Sequence, residues 1–81
     1  MAKYYEDFKL LNTPQEVISN CNTLTVLNTG TATAVLNGVD IIPGAQYVIL
    51  GNENEYNETR YRLSFTGAGT EQVVVIRKII K

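Results

Sequence analysis

Histidine and tryptophan are absent from the chain, and cysteine occurs once, at Cys21. Without histidine, the side chain most used for acid–base work near neutral pH is missing. A lone thiol closes no disulfide within the chain, and with no histidine beside it a structural zinc site is excluded too. No apolar stretch approaches the ~20 residues that span a bilayer. Met1-Ala2-Lys3 leads into YYEDF with no apolar core segment, so neither a secretory signal nor a membrane anchor is expected, and Cys21 is expected to stay a thiol in a cytoplasm. The 7 cationic and 8 anionic residues give a net charge of −1, which argues against nucleic acid as a partner.

What the chain does contain is strand. NTLTVLN, TATAVLN, VDII, QYVIL, RYRLSF and QVVVIRKII are rich in Val, Ile, Thr and Tyr and are separated by turn residues. Asn37-Gly38 is the strongest short-range hairpin signal, since both residues accept the positive φ of a type I′ turn. Pro43-Gly44 reads as a type II turn, and Gly67-Ala68-Gly69 as a further hairpin. Arg60, Arg62 and Ser64 alternate with Tyr61, Leu63 and Phe65, an amphipathic strand. Val73-Val74-Val75-Ile76 is apolar on both faces and reads as a central strand covered on both sides. These elements predict one all-β domain over residues 22–81, a small antiparallel β-sandwich or jelly-roll-like barrel of about six or seven strands. Its expected core is Tyr47, Ile49, Tyr61, Leu63, Phe65, Val73, Val75 and one face of Leu24–Leu27.

Residues 1–21 differ. Tyr4, Phe8 and Leu11 fall at helical spacing, so this N-terminal arm reads as a short helix, as an extended segment whose aromatics meet a neighbour, or as a tail lying on its own sheet. Thr13-Pro14-Gln15-Glu16 fits a helix start with Glu16 at the capping-box position. It fits equally a first edge strand led by Pro14.

Each candidate for chemistry has a simpler structural explanation. Cys21 lacks a base and reads as a small inert thiol. Glu53, Glu55 and Glu58, with Asn52, Asn54 and Asn57, offer oxygen ligands but match no calcium-loop spacing, and read as a solvated loop. Asn57-Glu58-Thr59 is a formal glycosylation acceptor that carries no meaning without a signal peptide. Gly67-Ala68-Gly69 is followed by no helix that could hold a phosphate. Arg60, Arg62, Arg77 and Lys78 would line a basic strip for single-stranded nucleic acid if their strands paired. The competing reading is cross-strand pairing with Glu53, Glu55, Glu58 and Glu71. No catalytic, cofactor or metal residue is assigned, and the chain is expected not to be an enzyme.

From Asn28 to Lys81 the elements NTGTATAVLNG, IIPGAQYVI, an acidic loop, TRYRLSF and VVVIRK resemble small virion structural proteins of tailed and icosahedral bacteriophages, especially those infecting Bacteroidetes hosts. The likeness covers about two thirds of the chain and lies in pattern and turn placement. It implies a β-sandwich or jelly-roll-like unit on a capsid, at its vertices, or in a tail or head-fibre assembly. It implies the major capsid protein or other virion proteins as partners and the virion as location, and it carries no active-site residues. A chain this small has a marginal core without a staple, so a partner surface is expected, with self-association in a closed ring such as a trimer. Tyr4, Tyr5, Phe8, Leu11, Val74 and Ile76 are the expected interface. The alternative reading is a small β-barrel module that binds single-stranded nucleic acid.

Overall fold

The computed structural model describes residues 3–52 and 55–80, and it is built from strands alone. They are β1 (Tyr4–Leu11), β2 (Gln15–Ile18), β3 (Thr23–Asn28), β4 (Thr33–Leu36), β5 (Val39–Ile41), β6 (Gln46–Ile49), β7 (Arg60–Thr66) and β8 (Val73–Ile80). They form two four-stranded antiparallel sheets, ordered β1-β8-β3-β6 and β2-β7-β4-β5. Within them β1 pairs with β8, β2 with β7, β3 with β6 and β4 with β5, like the rungs of one long folded hairpin. Rolling that hairpin up adds the pairs β8–β3 and β7–β4. This nested order is the jelly roll. It is a sandwich of two open sheets and not a closed barrel, with β1, β6, β2 and β5 at the edges.

Alternation decides which side chains fill the space between the sheets. Leu24, Val26 and Asn28 of β3 are buried while Thr23, Thr25 and Leu27 between them are only partly so. Leu63 of β7 and Val73 and Val75 of β8 join them, and Leu11, Val17, Leu36 and Ile41 close the ends and edges of the core. Burial of each Leu, Ile or Val side chain contributes about 1.5–3 kcal/mol. Ile49, Tyr61 and Phe65 pack against this cluster from partly buried positions. Tyr47, expected inside, is 37% exposed, because β6 is an edge strand with a neighbour on one side only.

Turn chemistry holds at Asn37-Gly38 and at Pro43-Gly44, although only the first joins paired strands. Asn37 and Gly38 have φ of 49° and 82°, as a type I′ turn requires, and they close the β4–β5 hairpin. Gly44 has φ 83°, and Ala45 N donates to Ile42 O at 2.9 Å across the Pro43-Gly44 turn. Gly67-Ala68-Gly69 does not make a hairpin: β7 and β8 lie in different sheets, so this loop crosses the sandwich.

The N-terminal residues are strand as well. All of β1 pairs with β8, from Tyr4 opposite Ile80 to Leu11 opposite Val73, so the arm is the edge of a sheet. The helix start at Thr13–Glu16 does not form either; Gln15–Ile18 pairs with β7 as an edge strand just after Pro14.

Buried polar side chains pin the crossings between sheets. Asn28 Nδ2 donates to Ala32 O and Ile41 O, both at 2.8 Å, and its Oδ1 accepts from Gly30 N at 3.0 Å. At the other end of β3, Asn22 Nδ2 donates to Asn52 O at 2.6 Å and Glu55 O at 2.8 Å. The Ser19 hydroxyl lies 2.8 Å from Asn57 O and 2.7 Å from Thr59 O, one proton shared by two carbonyls. Among the described residues no buried side-chain polar atom lacks a partner.

Candidate interaction surface

The two outer faces of the sandwich differ in character. On the β2-β7-β4-β5 sheet, register places Glu16 opposite Arg62, aligns Ser64, Val35 and Asp40 in the next row, and sets Thr66 opposite Thr33. This face is polar. Its ion pair, Arg60 Nη1 to Glu16 Oε1 at 3.3 Å, joins side chains that are 68% and 48% exposed and adds little stability.

The outer face of the β1-β8-β3-β6 sheet is apolar. One cross-sheet row runs Phe8, Ile76, Thr25, Val48; the next runs Leu10, Val74, Leu27, Gln46. Phe8 is 64% exposed, Leu10 59% and Val48 41%, and Ile76, Val74 and Leu27 are half-buried between them. A row of Glu6, Lys78 and Thr23 borders this patch, and beyond it Tyr4 stands opposite Ile80. Lys78 Nζ sits 4.5 Å from the centre of the Tyr4 ring, a cation–π contact. Nothing among the described residues covers the patch, although Val74 and Ile76 read from sequence as a strand covered on both sides. Contiguous apolar surface rimmed by polar residues marks interaction sites.

Of the residues expected at an interface, Tyr4, Phe8, Val74 and Ile76 share this outer face. Leu11 does not: it is 7% exposed in the core, because an odd position on β1 points toward the other sheet. Tyr5, opposite Ile79, lies on that inner side too, 48% exposed where β1 runs past the shorter sheet. Leu10, Leu27 and Val48 complete the patch; the TLTVL alternation hides Leu27 among threonines, and β6 had shown its apolar side as core.

The basic strip does not form. Arg60 and Arg62 stand on the polar sheet, Lys78 on the outer face of the other, and Arg77 turns inward. Arg77 Nε donates to Asp7 Oδ2 at 3.0 Å, Nη2 pairs with the same oxygen, and Nη1 donates to Ser19 O at 3.3 Å. The arginine thus ties β1, β8 and the turn after β2 together. A pocket of about 120 Å³ opens beside it between β1 and β2, lined by Lys9, Glu16, Val17 and Val75 among others.

Cys21 is fully buried, and burial raises its thiol pKa against the smaller opposing pull of Arg77. A thiol held protonated and out of solvent is a poor nucleophile. Glu55 Oε1 accepts from Asn52 N at 3.1 Å, an ordinary loop contact. Glu53 and Asn54 lie outside the described residues, and among the described residues no three Asp, Glu or Cys side chains cluster as metal ligands would.

The chain matches no family model, and neither a curated protein nor a solved structure is significantly similar to it.

Proposed function

We propose that this chain is a structural protein of a bacteriophage virion, a decoration or cement protein of the capsid or a small head-fibre or tail component. The observation that carries this reading is the uncovered apolar face built by Phe8, Leu10, Leu27, Val48, Val74 and Ile76. A protein whose second sheet face is polar and whose first is apolar is built to sit on something, and aromatic and aliphatic anchors carry most of the energy of such contacts. The resemblance of residues 28–81 to small phage virion proteins supplies the class of partner, the major capsid protein or a neighbour in the virion. The jelly roll recurs in viral capsid domains, a fold-level analogy that supports the reading. The protein acts through contacts rather than catalysis: its one thiol is buried, and among the described residues no three Asp, Glu or Cys side chains cluster as metal ligands would. It is made in the host cytoplasm and resides in the virion.

Co-sedimentation tests the contact. Purified chain mixed with virions of the encoding phage stripped of it co-sediments in the wild-type form, and Phe8→Ser with Ile76→Ser loses that binding. Equal binding by the variant would place the contact elsewhere.

A further inference from the structure

The apolar face is one exposed feature of β1; its open edge is another. Among the described residues, no backbone group of residues 5–11 bonds to any strand other than β8. An open strand edge of that length is a template for another strand. Charged side chains commonly guard such edges, and β1 carries three, Glu6, Asp7 and Lys9. Their placement disfavours three two-fold registers and favours one.

We propose that a second copy of this chain pairs with it through the β1 edge, antiparallel and centred on Phe8, so that the two apolar sheets become one continuous sheet. With the two-fold axis at Phe8, residues 5–11 meet residues 11–5 of the second copy. Asp7 then stands opposite the second copy's Lys9, and Lys9 opposite the second copy's Asp7. Opposite charges directly across an antiparallel pair are favourable and like charges are not. Moving the axis to Asp7 sets Asp7 against Asp7, to Glu6 sets Glu6 against Glu6, and to Lys9 sets Lys9 against Lys9. The edge charges thus act as a register code, rejecting wrong partners as well as attracting the right one.

The local geometry leaves these groups available. Both Arg77 bonds to the Asp7 carboxylate end on Oδ2, so Oδ1 remains for a second cation. Lys9 is exposed and has no ion-pair partner among the described residues. Because outer-face residues meet outer-face residues in this register, Phe8 packs on the second copy's Phe8 and Glu6 borders the second copy's Leu10. The patch on each copy merges into one apolar platform. A two-fold contact of this kind is closed, so it stops at two copies. It takes the place of the ring anticipated from size alone.

The inference stands apart from the virion reading: a monomer found in virions overturns the pairing alone, and a dimer absent from virions overturns the virion reading alone. The test is light scattering on the full chain with site-directed cross-linking. The wild type is expected at twice 9.0 kDa at tens of micromolar. Lys9→Glu, which sets acid against acid at two symmetric places, is expected at 9.0 kDa with an unchanged far-UV spectrum. Residues directly opposite in a sheet have Cβ atoms about 4.5–5.5 Å apart, close enough for a disulfide after small adjustment. Phe8→Cys is therefore expected to form a disulfide dimer on mild oxidation, while Glu6→Cys and Leu10→Cys are not; Cys21, fully buried, does not compete. A wild-type monomer, a Lys9→Glu dimer, or preferential cross-linking at Glu6→Cys or Leu10→Cys would each overturn the proposal.

Discussion

Phe8 and Leu11 sit on the same strand and face opposite sides of the sheet: Phe8 is 64% exposed and Leu11 is 7% exposed. A helix would have placed them with Tyr4 on a single stripe, whereas a strand sends even positions outward and odd positions inward. That parity gives the protein both a core contact and an apolar exterior from one edge strand.

The stability cost of core and outer-face substitutions separates accordingly. Leu63→Ala, in the centre of the core, is expected to lose about 2–5 kcal/mol in urea melts. Phe8→Ser changes only the exterior and is expected to stay within about 0.5 kcal/mol of the wild type. A large loss for Phe8→Ser would mean that the outer face is part of the monomer's own packing.

Asn28 is expected to matter more than Asn22. Asn28→Ala removes the buried donor to Ala32 O and Ile41 O, while Gly30 N keeps Gln72 O as acceptor. Leaving such groups unsatisfied is expected to cost about 2–4 kcal/mol. Asn22→Ala frees carbonyls of Asn52 and Glu55, both exposed positions that water can reach, and about 1 kcal/mol is expected. Denaturant melts of the two variants check the order.

Arg77→Lys keeps the charge but loses the fork that holds Asp7 and Ser19 together. The pair is partly exposed, with side chains at 26% and 34%, so the global loss is expected to be modest, about 1–2 kcal/mol. The larger effect is local. At concentrations that keep the chain monomeric, amide exchange in residues 4–11 is expected to speed up more than in β3, because β1 is then held on one side only.

Cys21 makes the fold sensitive to alkali. Burial raises its folded-state pKa, so the protonated thiol favours the native state. That contribution is fully present below the unfolded thiol value, ~8.5, and is lost as pH rises from there through the folded value. Stability should fall over this range, and less steeply in Cys21→Ala, which titrates nothing there. In the native protein at pH 8, iodoacetamide should leave Cys21 unmodified while labelling it readily in urea.

Much of this architecture was legible in residue order, and the exceptions have physical causes. The alternation of Leu24 and Val26 with threonines, the Asn37-Gly38 turn and the amphipathic Arg60–Phe65 segment all report local backbone preference, and they form as read. Tyr4 and Phe8 were ambiguous because i and i+4 share a face in helix and strand alike, and Leu11 joins them only in a helix; pairing with β8 decides. Gly67-Ala68-Gly69 states that the chain reverses but not into which sheet it goes, since that depends on the roll of the whole hairpin. The interaction surface was half visible. Phe8, Val74 and Ile76 are conspicuous as apolar residues with no evident cover, whereas Leu27 and Val48 acquire their meaning from cross-strand neighbours far away in the chain.

The central claim, that this chain is a building part of a phage particle, is tested most directly by quantitative mass spectrometry of purified virions of the encoding phage. The account predicts the chain in the particle at a fixed copy number relative to the major capsid protein, retained through density-gradient purification. Its absence from purified virions, with the protein abundant in the infected cell, would contradict it.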